Sequence, residues 1–224
     1  MAEPDRISRK GAKTLSRYIL TVRHAKHRIF VWADPQTVPD DALVAIALDD
    51  DVSFGVLHSR FHEAWSLRLG TSLEDRPRYT QTTTFETFAF PNGLSPDIPA
   101  ENYAGDPRAV RIATAAKALD ERRRAWLNPP DLVVNEPEVV PGYPDRVLPK
   151  DEKAANILKG RTLTKLYNER PTWLANLHDE LDRAVAAAYG WPEDIDVDHA
   201  LAELLKLNLS RAAARSGPRS SEAA

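Results

Sequence analysis

KHRIFVW (residues 26–32) and DDDVSFGVLHSRFHEAWSLRLGTSLEDRPRYTQTTTFETFAF (residues 49–90) set a basic, aromatic strand, a half-buried helix, a charged loop and a Thr-rich segment in quick succession. Phe54, Leu57, Phe61, Trp65 and Leu69 recur at three- and four-residue intervals, the period of a helix face packed on a sheet. Gly70 stands where a helix would end. Upstream, Ser16 to Val22 and Ile29 to Trp32 are short β-branched and aromatic runs and are expected to be strands. Ala42 to Leu48 is an apolar run bounded by Pro39-Asp40-Asp41 and Asp49-Asp50-Asp51, which predicts a buried strand. Thr82 to Phe90 alternates, with Phe88 and Phe90 opposite Thr87 and Ala89, and is also expected to be a strand.

Pro91 to Pro107 is rich in proline and glycine and reads as a connector. Beyond it the spacing turns helical. Ile112, Ala116, Leu119 and Trp126 mark one helix, stopped by Asn128-Pro129-Pro130. An irregular stretch from Pro137 to Pro149 precedes a helical segment over Asp151 to Tyr167. Pro171 opens a helix with Leu174, Leu177, Leu181 and Val185 inward. Asp196 or Asp198 caps a last helix whose inner face is expected to be Leu201, Leu204, Leu205 and Leu209. The fold class is therefore α+β, a small β-rich N-terminal half followed by an all-α C-terminal domain. The expected division is a first unit over residues 1–92, a linker over 93–107, a helical domain over 108–215 and a disordered tail over 216–224.

The 224 residues hold no cysteine, which excludes disulfides and thiolate metal sites. No run approaches the about 20 apolar residues of a membrane helix, and the polar N-terminus has no signal-peptide core, so a cytoplasmic location is expected. The net charge of −3 is unevenly spread. Residues 1–28 carry eight Lys/Arg against Glu3 and Asp5, a net of +6, which leaves −9 for the rest. A basic strip on an acidic body suits contact with phosphates.

Four motifs suggest chemistry and fail on residue type, spacing or context. Asn128-Pro129-Pro130-Asp131 resembles the Asn/Asp-Pro-Pro-aromatic loop with which amino-group DNA methyltransferases hold a flipped base, but Asp131 cannot stack and RRRAWL before it is helical. His58 and His62 stand one helical turn apart, yet Glu63 follows the second histidine instead of the first, and no third ligand is evident. Asp49-Asp50-Asp51 reads as an acidic turn, and Asp151-Glu152-Lys153 lacks nuclease spacing. No catalytic, cofactor or metal residue is expected in the chain. The loop Glu74-Asp75-Arg76-Pro77-Arg78-Tyr79-Thr80 is different. Arginine can pair with guanine O6 and N7, and a carboxylate can accept from cytosine N4, so this loop offers both halves of major-groove readout.

RYILTVRHAKHRIFVW, the stretch quoted from Asp49 onward, AWLNPP, EVVPGYPDRVLP and LTKLYNERPTWLANLHDELDRAVAAAYGWP occur in this order. Their succession resembles the C-terminal end of large bacterial DNA methyltransferases of the MmeI-like, type IIL restriction–modification kind. The resemblance runs from about Arg17 to about Arg211 and implies the later part of a target-recognition domain followed by a helical C-terminal domain. It implies double-stranded DNA as partner and recognition within Lys26 to Phe90; Glu74, Arg76, Arg78, Tyr79 and Thr80 are expected toward base edges, and Arg23, Lys26, His27 and Arg28 toward phosphates. The full-length family is adenine-N6-specific and uses S-adenosylmethionine. The catalytic loop and cofactor site have no counterpart in these residues, so a methyltransferase domain or subunit is an expected partner and the chain alone is expected to be inactive. Two other readings are a module that docks a separately encoded methyltransferase subunit, and a truncated gene remnant.

Overall fold

The computed structural model describes residues 15–70, 72–73, 76–140 and 145–216. A three-stranded antiparallel sheet comes first, built from β1 (Tyr18–Val22), β2 (Phe30–Ala33) and β3 (Leu43–Ile46) in the order β2-β1-β3. The register pairs Ile19 with Trp32 and Ile46, and Thr21 with Phe30 and Val44, so these residues share one face. That face is buried: Ile19, Phe30, Val44 and Ile46 belong to the core. The opposite face carries Leu20, Val22, Val31 and Leu43.

The predicted single helix over residues 54–69 is two helices, α1 (Asp51–His58) and α2 (Arg60–Leu69), broken at Ser59. Ser59 has an extended backbone, ends α1 and caps α2 by accepting from the His62 amide. Asp50 caps α1 through the Ser53 amide, and Asp51 pairs with Arg17 and Lys117. The acidic run is thus a helix start. No group of His, Cys, Asp and Glu among the described residues could hold a metal. Residues 52–58 are all buried, because α1 lies between the sheet and two long helices, α3 (Pro107–Leu127) and α6 (Thr172–Tyr189). On the sheet side Phe54 stacks on Trp32, with ring centroids 4.4 Å apart.

Between them the chain adds β4 (Ser72–Leu73) paired with β5 (Arg76–Pro77), then the hairpin β6 (Val133–Glu136) and β7 (Arg146–Pro149). Helices α4 (Glu152–Leu158) and α5 (Leu163–Glu169) precede α6, and α7 (Val197–Ser216) follows it. The C-terminal half is therefore helical apart from one exposed hairpin, whose second strand lies in the stretch expected to be irregular and whose first precedes it. Leu94 and Tyr103 are buried within the expected linker, and one continuous core runs from Ile19 to Leu204. Beyond Ser216 the expected tail lies outside the described residues.

Two further expectations change. Gln81–Phe85 forms a π-helical turn, not the start of a strand. Thr84 and Thr87 donate their hydroxyls to the carbonyls of Thr80 and Thr83, which favours a wound backbone over a ladder. Phe88 and Phe90 still point inward, against His62 and each other. In α7 the buried positions are Ala200 and Leu204, whereas Leu205 and Leu209 are 52% and 62% exposed. Asn208 and Arg211 on the same helix bond the Thr87 and Phe90 carbonyls, which rotates the leucines outward.

Gly55 is the tightest contact of α1 with the helical half. A Cβ there would lie 2.7 Å from Ile112 Cγ2, 3.1 Å from Ala116 Cβ and 3.2 Å from Leu181 Cδ1. Gly55→Val is expected to cost about 2 kcal/mol, overpacking exceeding the gain in helix propensity of at most about 1 kcal/mol. Urea unfolding checks this, and an unchanged midpoint would contradict the packing.

Candidate nucleic-acid interface

Residues 23–29, between β1 and β2, and residues 76–80 are far apart in sequence and meet along one edge. The Tyr79 amide donates to the Arg23 carbonyl at 2.8 Å, the Ala25 amide lies 3.5 Å from the Pro77 carbonyl, and His24 bridges Arg78 in antiparallel fashion. Residues 76–79 are extended, so their side chains alternate. Arg76 and Arg78 are exposed, Pro77 is half-buried and Tyr79 is buried. Gly70 permits this seat, since a Cβ there would come 2.8 Å from the Arg78 carbonyl and 2.5 Å from that of Ser66. Its backbone is extended, so the glycine serves close approach and not a left-handed turn.

Arg28 and Tyr79 were expected at the DNA surface and lie inside. Arg28 is 9% exposed. Its Nη1 donates to Thr21 Oγ1 at 3.1 Å and to the Val22 carbonyl, and its Nη2 donates to the Pro77 carbonyl at 3.0 Å. The guanidinium carbon sits 4.8 Å from the Tyr79 ring centroid. Burial pulls the Arg28 pKa down, opposed by the neighbourhood of Tyr79 and Glu63. On the far side the Tyr79 hydroxyl meets His62 Nε2 at 2.9 Å. Burial raises the Tyr79 pKa and lowers that of His62 to about 3, so both are neutral. His62 and His58 are thus interior packing and hydrogen-bonding groups. His58 accepts the Phe30 amide and Arg123 Nη1 at Nε2 and meets the Phe54 carbonyl at Nδ1.

The other cations lie nearer the surface to differing degrees, and Arg23 Nε is itself buried. Lys26 is exposed and His27 half-buried, and both reach Asn168 Oδ1 on α5, at 3.0 and 2.9 Å. Arg23 is half-buried and flanks the Tyr79 amide contact. Thr80 is half-buried, and its carbonyl accepts the Thr84 hydroxyl. Glu74 lies outside the described residues. A groove of about 570 Å³ runs along this edge, floored by Leu20, Val22, Val31 and Leu43 and rimmed by His24, Lys26, His27 and Arg76. His24 and Asn168 were not singled out by the sequence. His24 lies in a visible basic run, whereas nothing local marks Asn168, 142 positions after Lys26.

Asn128 ends α3, its amide bonded to the Arg124 carbonyl, so the Asn-Pro-Pro sequence terminates a helix. No helix among the described residues is long and apolar enough to cross a membrane.

Residues 10–92 match the family model described as the MmeI target recognition domain. Among solved structures the chain is similar to the Type IIL restriction-modification enzyme MmeI in complex with DNA, with a TM-score of 0.61 and 20% identity over 88% of this chain. The match spans 22% of that protein's length, and at this identity it establishes the fold. No curated protein sequence matches the chain.

Proposed function

Given an MmeI-like target-recognition domain over residues 10–92, we propose that the chain reads the base sequence of double-stranded DNA for an adenine-N6 methyltransferase of a restriction–modification system. The observation that carries this reading is the junction of residues 23–29 with 76–80, which sets a cationic turn beside a strand that turns two arginines outward. Arg76 and Arg78, with Glu74 and Thr80, contact base edges, since a guanidinium can satisfy guanine O6 and N7 together. Arg23, Lys26 and His27 contact phosphates and set the register on the duplex. Arg28 and Tyr79 act from beneath. Methyl transfer, with its S-adenosylmethionine, belongs to a separate domain or subunit, and the chain by itself incorporates no methyl groups into DNA.

Fluorescence anisotropy on duplexes recovered from a random pool tests the assignment. Arg76→Ala is expected to cost about 1–3 kcal/mol on the preferred duplex and to relax one base position. Lys26→Ala is expected to weaken all duplexes alike and to lower the salt slope by about 1. An Arg76→Ala protein with unchanged base preference would sink the readout role. The apolar groove floor favours one other reading, in which this face docks the methyltransferase subunit. Co-purification with that subunit, without sequence preference of its own, would favour docking.

A further inference from the structure

We propose that Arg28 is a positioning residue for recognition, holding the 76–79 strand in the single register that turns Arg76 and Arg78 outward. This rests on the DNA-reading role above. Arg28 is a buried cation whose hydrogen-bond partners are two carbonyls and a hydroxyl. Burying a charge is costly unless its donors are satisfied, so such a group persists where its geometry is required. The geometry is that of a planar fork. One edge holds Thr21 and Val22 of β1, the other holds the Pro77 carbonyl, and the face lies over Tyr79. A lysine at this place keeps the charge but cannot span three oxygens in one plane.

The strand it holds is sensitive to register. Arg76 and Arg78 are out while Tyr79 is in, so a slip of one residue would exchange the two sets. Arg28 touches two of the inward features, the Pro77 carbonyl and the Tyr79 ring, while His62 meets the Tyr79 hydroxyl and Arg23 takes the Tyr79 amide. Loss of Arg28 therefore leaves the cations present but their directions unset. Base preference, which depends on direction, should suffer more than total affinity, which depends on charge.

The test is Arg28→Lys in the full chain, with Thr21→Val as a second variant that removes one of the Arg28 acceptors, together with that hydroxyl's bond to the Ile29 carbonyl, and leaves every outward cation in place. Binding to a randomised duplex pool and amide hydrogen exchange at Tyr79 are measured together. Arg28→Lys is expected to bind the pool within about threefold of the parent, to lose about tenfold in discrimination against single-base changes, and to exchange the Tyr79 amide about tenfold faster. Thr21→Val should move both readouts in the same direction by less, and it decides the matter if Arg28→Lys does not fold. Retained base preference, with or without faster exchange, overturns the proposal, as does an equal loss on every duplex. If the parent shows no base preference, the DNA-reading role fails by itself, and Tyr79 exchange alone decides whether Arg28 holds the strand, an unchanged rate overturning it.

Discussion

Replacing Arg123 with methionine is expected to cost about 2–5 kcal/mol of folding stability, because it orphans two buried polar groups at about 1–3 kcal/mol each. Arg123 is 2% exposed and lies about one turn from the C-terminal end of α3. Its Nη2 donates to the Phe30 carbonyl at 3.0 Å, and its Nη1 reaches His58 Nε2 at 2.9 Å and the Tyr167 hydroxyl at 3.1 Å. The Phe30 amide meanwhile donates to His58 Nε2 at 3.1 Å. Both backbone groups of Phe30 that face away from β1 are thus satisfied by side chains, which close the outer edge of the sheet as a neighbouring strand would. Methionine leaves the Phe30 carbonyl and the Tyr167 hydroxyl short of a donor. Removing the charge recovers some desolvation energy, but orphaned buried polar groups cost about 1–3 kcal/mol each, so the loss wins. Urea denaturation should show a lower midpoint with an unchanged slope. His58→Leu and Arg123→Met combined should cost less than their sum, because both serve Phe30. A single-variant cost below about 1 kcal/mol would contradict this account.

The same residue shows where the sequence is legible and where it is not. The apolar periods of residues 54–69 and 174–185 located helices and the core because burial of those side chains decides the fold. Arg123, in ERRRAWL, has the composition of a solvated helix face, and only the packing of β2, α1 and α5 around it makes it interior. Arg28 and Tyr79 were placed at the surface by residue type, and long-range contacts put them beneath it. In Thr82 to Phe90 the alternation is real, but threonine hydroxyls bonding back four residues wind the chain, and the phenylalanines are buried from a turn instead of a strand. The hairpin of β6 and β7 leaves no clear apolar alternation in the sequence because its strands pack little: three of the four residues in each are exposed. For the candidate interface, both clusters of cations were visible as separate runs. Their union depends on the Arg23–Tyr79 and Arg28–Pro77 contacts across about 50 residues, which no local pattern encodes.

Acid should unfold this protein unusually early. His58 and His62 are buried and His178 is half-buried, and desolvation holds their pKa values below the ordinary 6.5, to about 3 for His62 and His178 and well below the ordinary value for His58. Arg123 beside His58 and His178 and Arg28 beside His62 push the same way. The unfolded chain binds protons at these histidines from about pH 6.5 downward while the folded chain does not, so the stability they contribute is full above that pH and falls as pH drops. Asp182 has the opposite sign. Burial behind α2 raises its pKa to about 7, against the Arg60 amide that donates to it at 2.8 Å, so its ionisation opposes folding increasingly from pH 4 to 7. Each site is worth about 1.4 kcal/mol per pH unit, so three histidines against one aspartate leave a net fall of roughly 2–3 kcal/mol per unit below pH 6. At that rate a domain in the lower part of the ordinary range, about 5–8 kcal/mol, would unfold between about pH 4 and 3. His199 is exposed, and its pKa is raised by Asp196, a contribution of opposite sign screened by solvent. Asp182→Asn separates the terms, because the amide oxygen still accepts from Arg60. That variant should be roughly 1–3 kcal/mol more stable at pH 8 and lose stability more steeply on acidification, by about one proton in slope. Urea titrations at pH 8, 6 and 5 give both numbers. Stability that is flat over this range, or an Asp182→Asn protein weaker at pH 8, would mean that these four groups are better solvated than their burial implies.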